Sequence, residues 1–170
     1  MPVIKYRCVI AATLAIFAIG ISSASVATAD TIYSGSFNYK RATPSSTYFA
    51  GKSDAQITSF CKGQRRASQA DIDACAHRGF EQEAAILSTK VSKLYAEYRA
   101  GDEELKKNGW PVAAPYFQKA QTDWTSYRDN SCYAETYGLG EASLRYTEFW
   151  DCMTRITKTR ISELSAKDAD

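Results

Sequence analysis

The sequence predicts an all-α fold: a small helical bundle of about four helices, arranged as two disulfide-linked helical hairpins behind a flexible N-terminal leader. Three observations carry this prediction. Two capping patterns stand where helices should begin, one apolar stripe runs at helical spacing for many turns, and four cysteines are centred in pairs on the expected breaks. No alternation of the strand type competes with that pattern.

The chain opens with an export signal over residues 1–29. Lys5 and Arg7 form a short positive region, and the apolar run from Cys8 to Ile21 is interrupted only by Thr13 and Gly20. Ala27-Thr28-Ala29 then places cleavage before Asp30. A spanning helix needs about 20 apolar residues. This run is shorter and passes into Ser22, Ser23 and Ser25, so no membrane span is expected once the signal is removed. The expected location is periplasmic or secreted.

Removal changes the totals. Taking Lys5 and Arg7 from 21 basic residues leaves 19, against 19 acidic ones, so the mature chain is formally neutral. The isoelectric point of about 8.2 describes the precursor. A neutral chain gives no support to a nucleic-acid partner, which calls for a basic patch or stripe. The roughly 140 mature residues fit one domain.

Residues 30–52 are rich in Ser, Thr, Tyr and Gly and nearly free of aliphatic side chains, which predicts a flexible leader. The helical domain is expected over 53–166, with a short tail at 167–170. Its first helix begins at Ser53-Asp54-Ala55-Gln56, a capping box, and loosens at Gly63. A second cap, Ser68-Gln69-Ala70-Asp71, opens the longest helix. Phe80, Ala84, Leu87, Val91, Leu94 and Tyr98 form its buried stripe, and Gly101 is expected to end it.

The acidic segment Asp102-Glu103-Glu104 and the Asn108-Gly109 turn lead to a third helix near Pro115. Its inward face is read as Phe117, Ala120, Trp124, Tyr127 and Ser131. Gly138-Leu139-Gly140 breaks it. The fourth helix starts near Ser143 and buries Tyr146, Phe149, Met153, Ile156, Arg160 and Leu164. Asp151 with Arg155, and Glu163 with Lys167, are i,i+4 pairs expected on its solvated side.

Cys8 leaves with the signal, and an even set remains: Cys61, Cys75, Cys132 and Cys152. In an exported chain this reads as two disulfides. Facing residues of an antiparallel hairpin lie about equally far from its turn. Cys61 and Cys75 are centred beside the break between Gly63 and Ser68, and Cys132 and Cys152 inside the break between Gly138 and Ser143. The predicted bridges are therefore Cys61–Cys75 and Cys132–Cys152. The wide spacings and the single histidine, His77, argue against zinc, and no metal or cofactor is expected.

Catalytic chemistry has few candidates. His77 is read as an exposed or capping histidine, no serine occupies a G-x-S-x-G turn, and Glu81/Glu83 and Glu103/Glu104 point to different helix faces. No catalytic residue is assigned, and the chain is read as a non-enzyme.

The stretch from Phe117 to Cys132, with Gln121, Trp124, Tyr127-Arg128 and Cys132, resembles the signature of the lysozyme inhibitor LprI-like family. Gly138 and Gly140, Cys152, and Thr157, Arg160 and Leu164 continue the resemblance, and Cys61, Asp71 and Cys75 match its first cysteine pair. It covers about residues 57–164. The family's long helix usually carries an Asp and a Leu-Asn before its Tyr, where this chain has Ser88 and Val91-Ser92 before Tyr95. The resemblance implies an exported helical domain and lysozyme as a partner. Gln121, Trp124, Tyr127, Arg128 and Arg160 are read as structural: Trp124 as a core anchor, Gln121 and Arg128 as bonding across the bundle or to helix ends.

Two functions follow. The first is a lysozyme inhibitor of the cell envelope, with Gly138, Leu139, Gly140, Glu141 and Ser143 as the partner-contact loop and the acidic 101–110 segment as a second candidate. The second is a periplasmic module that binds a glycan or protein without inhibiting lysozyme. It is suggested by the 11 tyrosines, with Tyr33, Tyr39 and Tyr48 in the leader.

Overall fold

The computed structural model describes residues 37–63 and 68–166; the signal expected over residues 1–29, Tyr33 and Lys167 lie outside the described residues. A 3-10 turn (Tyr39–Arg41) is followed by helices α1 (Ser45–Tyr48), α2 (Asp54–Lys62), α3 (Gln69–Lys107), α4 (Ala114–Gly138) and α5 (Arg145–Ala166). The fold is all-α, and among the described residues there is no strand.

Both capping boxes form as their residues dictate. Ser53 accepts from Gln56 N while the Gln56 side chain accepts from Ser53 N, and Ser68 and Asp71 do the same at the start of α3. At 39 residues, α3 is the spine, about 58 Å long at 1.5 Å per residue. Its stripe is buried as the spacing requires, with Phe80, Leu87 and Leu94 inside.

Helix α5 packs against both α3 and α4, which also touch each other where Tyr98 meets Phe117. It runs parallel to α3, since Gln69 bonds Thr147, His77 stacks on Trp150 and Lys158 pairs with Glu83. It runs antiparallel to α4, to which the Cys132–Cys152 bridge joins it at a Cα–Cα distance of 5.6 Å. The Cys61–Cys75 bridge closes the α2–α3 hairpin. Both predicted pairings are present. Because α5 is covered on two sides, its buried face is wider than a single stripe and adds Trp150, Cys152 and Thr157. Two core clusters result. Phe80, Cys132, Phe149, Trp150, Cys152 and Met153 form one, and Leu87, Leu94, Phe117 and Leu164 form the other.

Four expectations need correction. Helix α3 does not stop at Gly101 but continues to Lys107. Asp102 explains this: its buried carboxylate accepts from Ala113 N at 2.6 Å and Ala114 N at 2.9 Å, capping α4 from the neighbouring helix. The true end is a Schellman motif, with Gly109 at φ 70°, Gly109 N donating to Lys106 O and Trp110 N donating to Leu105 O. Second, the inward face of α4 is Phe117, Gln121, Trp124, Arg128, Cys132 and Thr136, while Ala120 is exposed and Tyr127 is 62% exposed. The face is rotated because α4 buries paired polar side chains in place of aliphatic ones. Third, Arg155 pairs with Glu135 of α4, not with Asp151 on its own helix.

Fourth, residues 37–52 are not a flexible leader. They form a strap packed across α3, α4 and α5. Phe49 is 2% exposed and packs edge-on against Phe60. Phe37 lies edge-on to Phe149 at 5.1 Å, and Ser45 donates both its N–H and its hydroxyl to the Glu81 carboxylate. Three aromatic rings supply the burial that the missing aliphatic residues would have supplied.

Phe49→Ala should lower unfolding stability by about 3 kcal/mol, the usual loss for an aromatic truncated in a core; a urea midpoint matching the parent's would mean the strap is undocked. Asp102→Ala should cost about 2 kcal/mol, since two charge-assisted bonds are lost, whereas Glu103→Ala on the solvated side should stay within about 0.5 kcal/mol. Chemical denaturation of the three variants side by side checks both.

Candidate functional site

The α4–α5 turn projects from one end of the bundle. Leu139 N donates to Thr136 O and Gly140 N to Tyr137 O, and Gly140 adopts φ 61°, so the helix ends in a left-handed glycine. Two features then hold the turn. The Cys132–Cys152 bridge ties its two stems. Arg145, buried at the first position of α5, donates from Nη1 to Gly140 O at 3.0 Å and from Nη2 to Tyr146 Oη at 3.0 Å. Its guanidinium also lies over the Tyr146 ring at 4.9 Å.

Gly138, Leu139, Gly140, Glu141 and Ser143 are all exposed, with Leu139 at 45% and Leu144 at 49%. Glu141 is the turn's one charged tip. The turn is thus an exposed, partly apolar protrusion whose base is tied down by the bridge and by Arg145. Arg145 was missed in the sequence, though a signal was present: a cation at a helix N-terminus opposes the helix dipole, so it needs a tertiary reason.

The signature residues lie elsewhere. Arg160 donates from Nε to Gln121 Oε1 at 2.9 Å, across the α4–α5 interface. Trp124 lies beneath two cations, with Arg128 at 5.2 Å and Arg160 at 5.8 Å from its ring centre. Arg128 is buried and donates from Nη2 to Asp129 Oδ1 at 2.7 Å and to Tyr39 Oη at 3.2 Å. Gln121, Trp124, Arg128 and Arg160 thus form one interior lattice, and Tyr127 stands apart on the solvated side of α4.

The strap completes that lattice. Tyr39 Oη donates to Asp129 Oδ2 at 2.8 Å, and Tyr39 N donates to Tyr133 Oη at 3.3 Å. Burial, then the bond to Asp129, pushes the Tyr39 phenol up to about 12, while the Arg128 charge pulls the other way. Tyr39 is therefore an internal anchor and not a free contact surface. Tyr48 stays partly exposed and donates to Asp71.

His77 corrects its expectation as an exposed or capping residue. It stacks on Trp150 with ring centres 3.9 Å apart, and its Nε2 lies 3.4 Å from Glu81 Oε1. Burial holds its pKa below the usual histidine value, against the pull of Glu81. Glu81 is occupied by Ser45 and Glu83 faces Lys158, so neither forms a carboxylate pair across a cleft. The 101–110 segment also loses its acidic character. Asp102 is buried, Glu103 pairs with Lys106 at 2.9 Å, and Glu104 lies 3.6 Å from Lys107. Among the described residues no cluster of His, Cys, Asp and Glu could hold a metal, and no helix is long and apolar enough to cross a membrane.

Residues 61–164 match the family model described as lysozyme inhibitor LprI. The chain belongs to the LprI lysozyme inhibitor family. The matched region runs from Cys61 to Leu164 and includes both disulfides, the interior lattice and the whole α4–α5 turn. No curated protein and no solved structure matches the chain.

Tyr39 should make stability depend on alkaline pH. Its folded value near 12 lies above the unfolded value of 10.0. The contribution is fully present below pH 10.0 and is lost as pH climbs toward 12. Urea midpoints measured across that window should fall less steeply in Tyr39→Phe than in the parent; identical slopes would show that Tyr39 is not held in this lattice.

Proposed function

We propose that this chain is an exported, non-catalytic inhibitor of lysozyme in the bacterial cell envelope, and that the α4–α5 turn is its contact surface. The observation that carries the proposal is the family match over 61–164, which contains the turn and its tether. Two disulfides suit an oxidising compartment outside the cytoplasm, in keeping with the signal expected over residues 1–29.

Lysozymes work through two carboxylates flanking the scissile bond in an open cleft. An inhibitor need only fill that cleft with a shape that does not relax. The tethered turn fits this requirement. Leu139 and Leu144 are apolar anchors, the Ser143 hydroxyl is a donor for a carboxylate, and Glu141 can meet a cationic rim. Gly138 and Gly140 keep the tip narrow. The conformational freedom lost on binding is small because Arg145 and the bridge already hold the backbone.

Purified mature protein should slow lysis of cell walls by at least one lysozyme type. Leu139→Asp combined with Leu144→Asp should weaken inhibition at least about tenfold, the equivalent of about 1.4 kcal/mol, with an unchanged melting midpoint. Absence of both inhibition and calorimetric binding across several lysozyme types would refute the proposal. Full inhibition by the double variant would move the contact surface away from the turn.

A further inference from the structure

The strap does more than cover the core, because it roofs a cleft. Residues 42–48, the first turns of α3 and Trp150 line an open cleft of about 430 Å³, within the usual range for small-ligand sites. The walls are largely apolar, with Pro44, Tyr48, Ala70, Ala74 and Trp150 among them. One carboxylate, Asp73, opens into this space, and among the described residues no lysine or arginine lines it. Asp73 Oδ1 is engaged by Gln69 Nε2 at 2.9 Å and by the Thr147 hydroxyl. Among the described residues no cation pairs with Asp73 and no donor reaches its Oδ2. His77, one turn further along α3, closes the floor by stacking on Trp150. Burial favours its neutral form, so it adds no internal counter-charge.

Asp73 is half-buried among largely apolar walls, with one oxygen committed and the other open, and among the described residues it has no positive partner. We propose that this cleft binds a primary ammonium group carried on an alkyl stem, as a lysine side chain presents, with Asp73 as the counter-ion. The stem lies against Ala70, Ala74 and the edge of Trp150, and the ammonium reaches Asp73 Oδ2 beside the Tyr48 ring. A guanidinium fits less well. Its planar fork calls for two free acceptor oxygens, and Oδ1 is already taken by two donors, whereas an ammonium needs only a point contact. The site is separate from the α4–α5 turn, and its occupancy does not depend on lysozyme inhibition.

The test follows the Trp150 indole N–H resonance of the mature protein during titration with four probes. These are Nα-acetyl-lysine methylamide, its arginine and norleucine counterparts, and butylamine. The lysine amide and butylamine should give a saturable shift. The norleucine amide, which lacks the charge, should bind at least about tenfold more weakly, and the arginine amide should fall between. Tighter binding of the capped lysine than of butylamine identifies a protein-borne lysine as the occupant; equal binding identifies free amines.

Asp73→Asn keeps an oxygen for Gln69 and Thr147 and should weaken the lysine amide at least about tenfold. Ala74→Leu, which fills the apolar side and leaves Asp73 in place, should abolish binding even if the Asn variant folds poorly. No saturable shift, equal binding of the norleucine amide, or undiminished binding by both variants would overturn the proposal.

Discussion

The buried guanidinium of Arg128 is the interaction on which the rest of the structure depends. It sits between the two core clusters, 5.3 Å from the Phe80 ring on one side and 5.2 Å from the Trp124 ring on the other. A charge placed there without a partner would cost several kcal/mol. Asp129 and Tyr39 remove that cost together, and in doing so they fix two further things. They set the rotation of α4 about its axis, and they draw the strap onto the bundle. The cleft beneath the strap exists because the strap is docked.

The family's residues divide into two sets with different work. Gln121, Trp124, Arg128 and Arg160 are spent inside, bonding α4 to α5 and stacking on one another. The turn from Gly138 to Ser143 is spent outside, with a rigid base and no internal duty for its tips. The fully buried Cys132–Cys152 bridge connects the sets, because it keeps the stems of the turn in the register the lattice requires. Closing a loop of this size contributes about 3 kcal/mol in the chain-entropy model, a substantial share of a small domain's net stability.

Local signals were legible in the sequence. The boxes at Ser53–Gln56 and Ser68–Asp71 form as read, and centring each cysteine pair on a helix break identified both bridges. The long stripe of α3 was readable because its inward residues are plainly apolar. What escaped was long-range. Asp102 caps a helix that begins after an intervening turn, so nothing near Gly101 announces that α3 continues. The rotation of α4 was hidden because Gln121 and Arg128 are polar and Tyr127 is aromatic, whereas burial follows their partners. The strap was hidden for a related reason, since its few rings find their burial on three different helices.

Amide hydrogen exchange of the mature protein, with and without added lysozyme, tests this division of labour most directly. Added protection is expected to be concentrated in residues 137–146, with the lattice around Gln121, Arg128 and Arg160 already slow and unchanged. Protection centred on the solvated side of α4 at Tyr127, with the α4–α5 turn still exchanging freely, would contradict it.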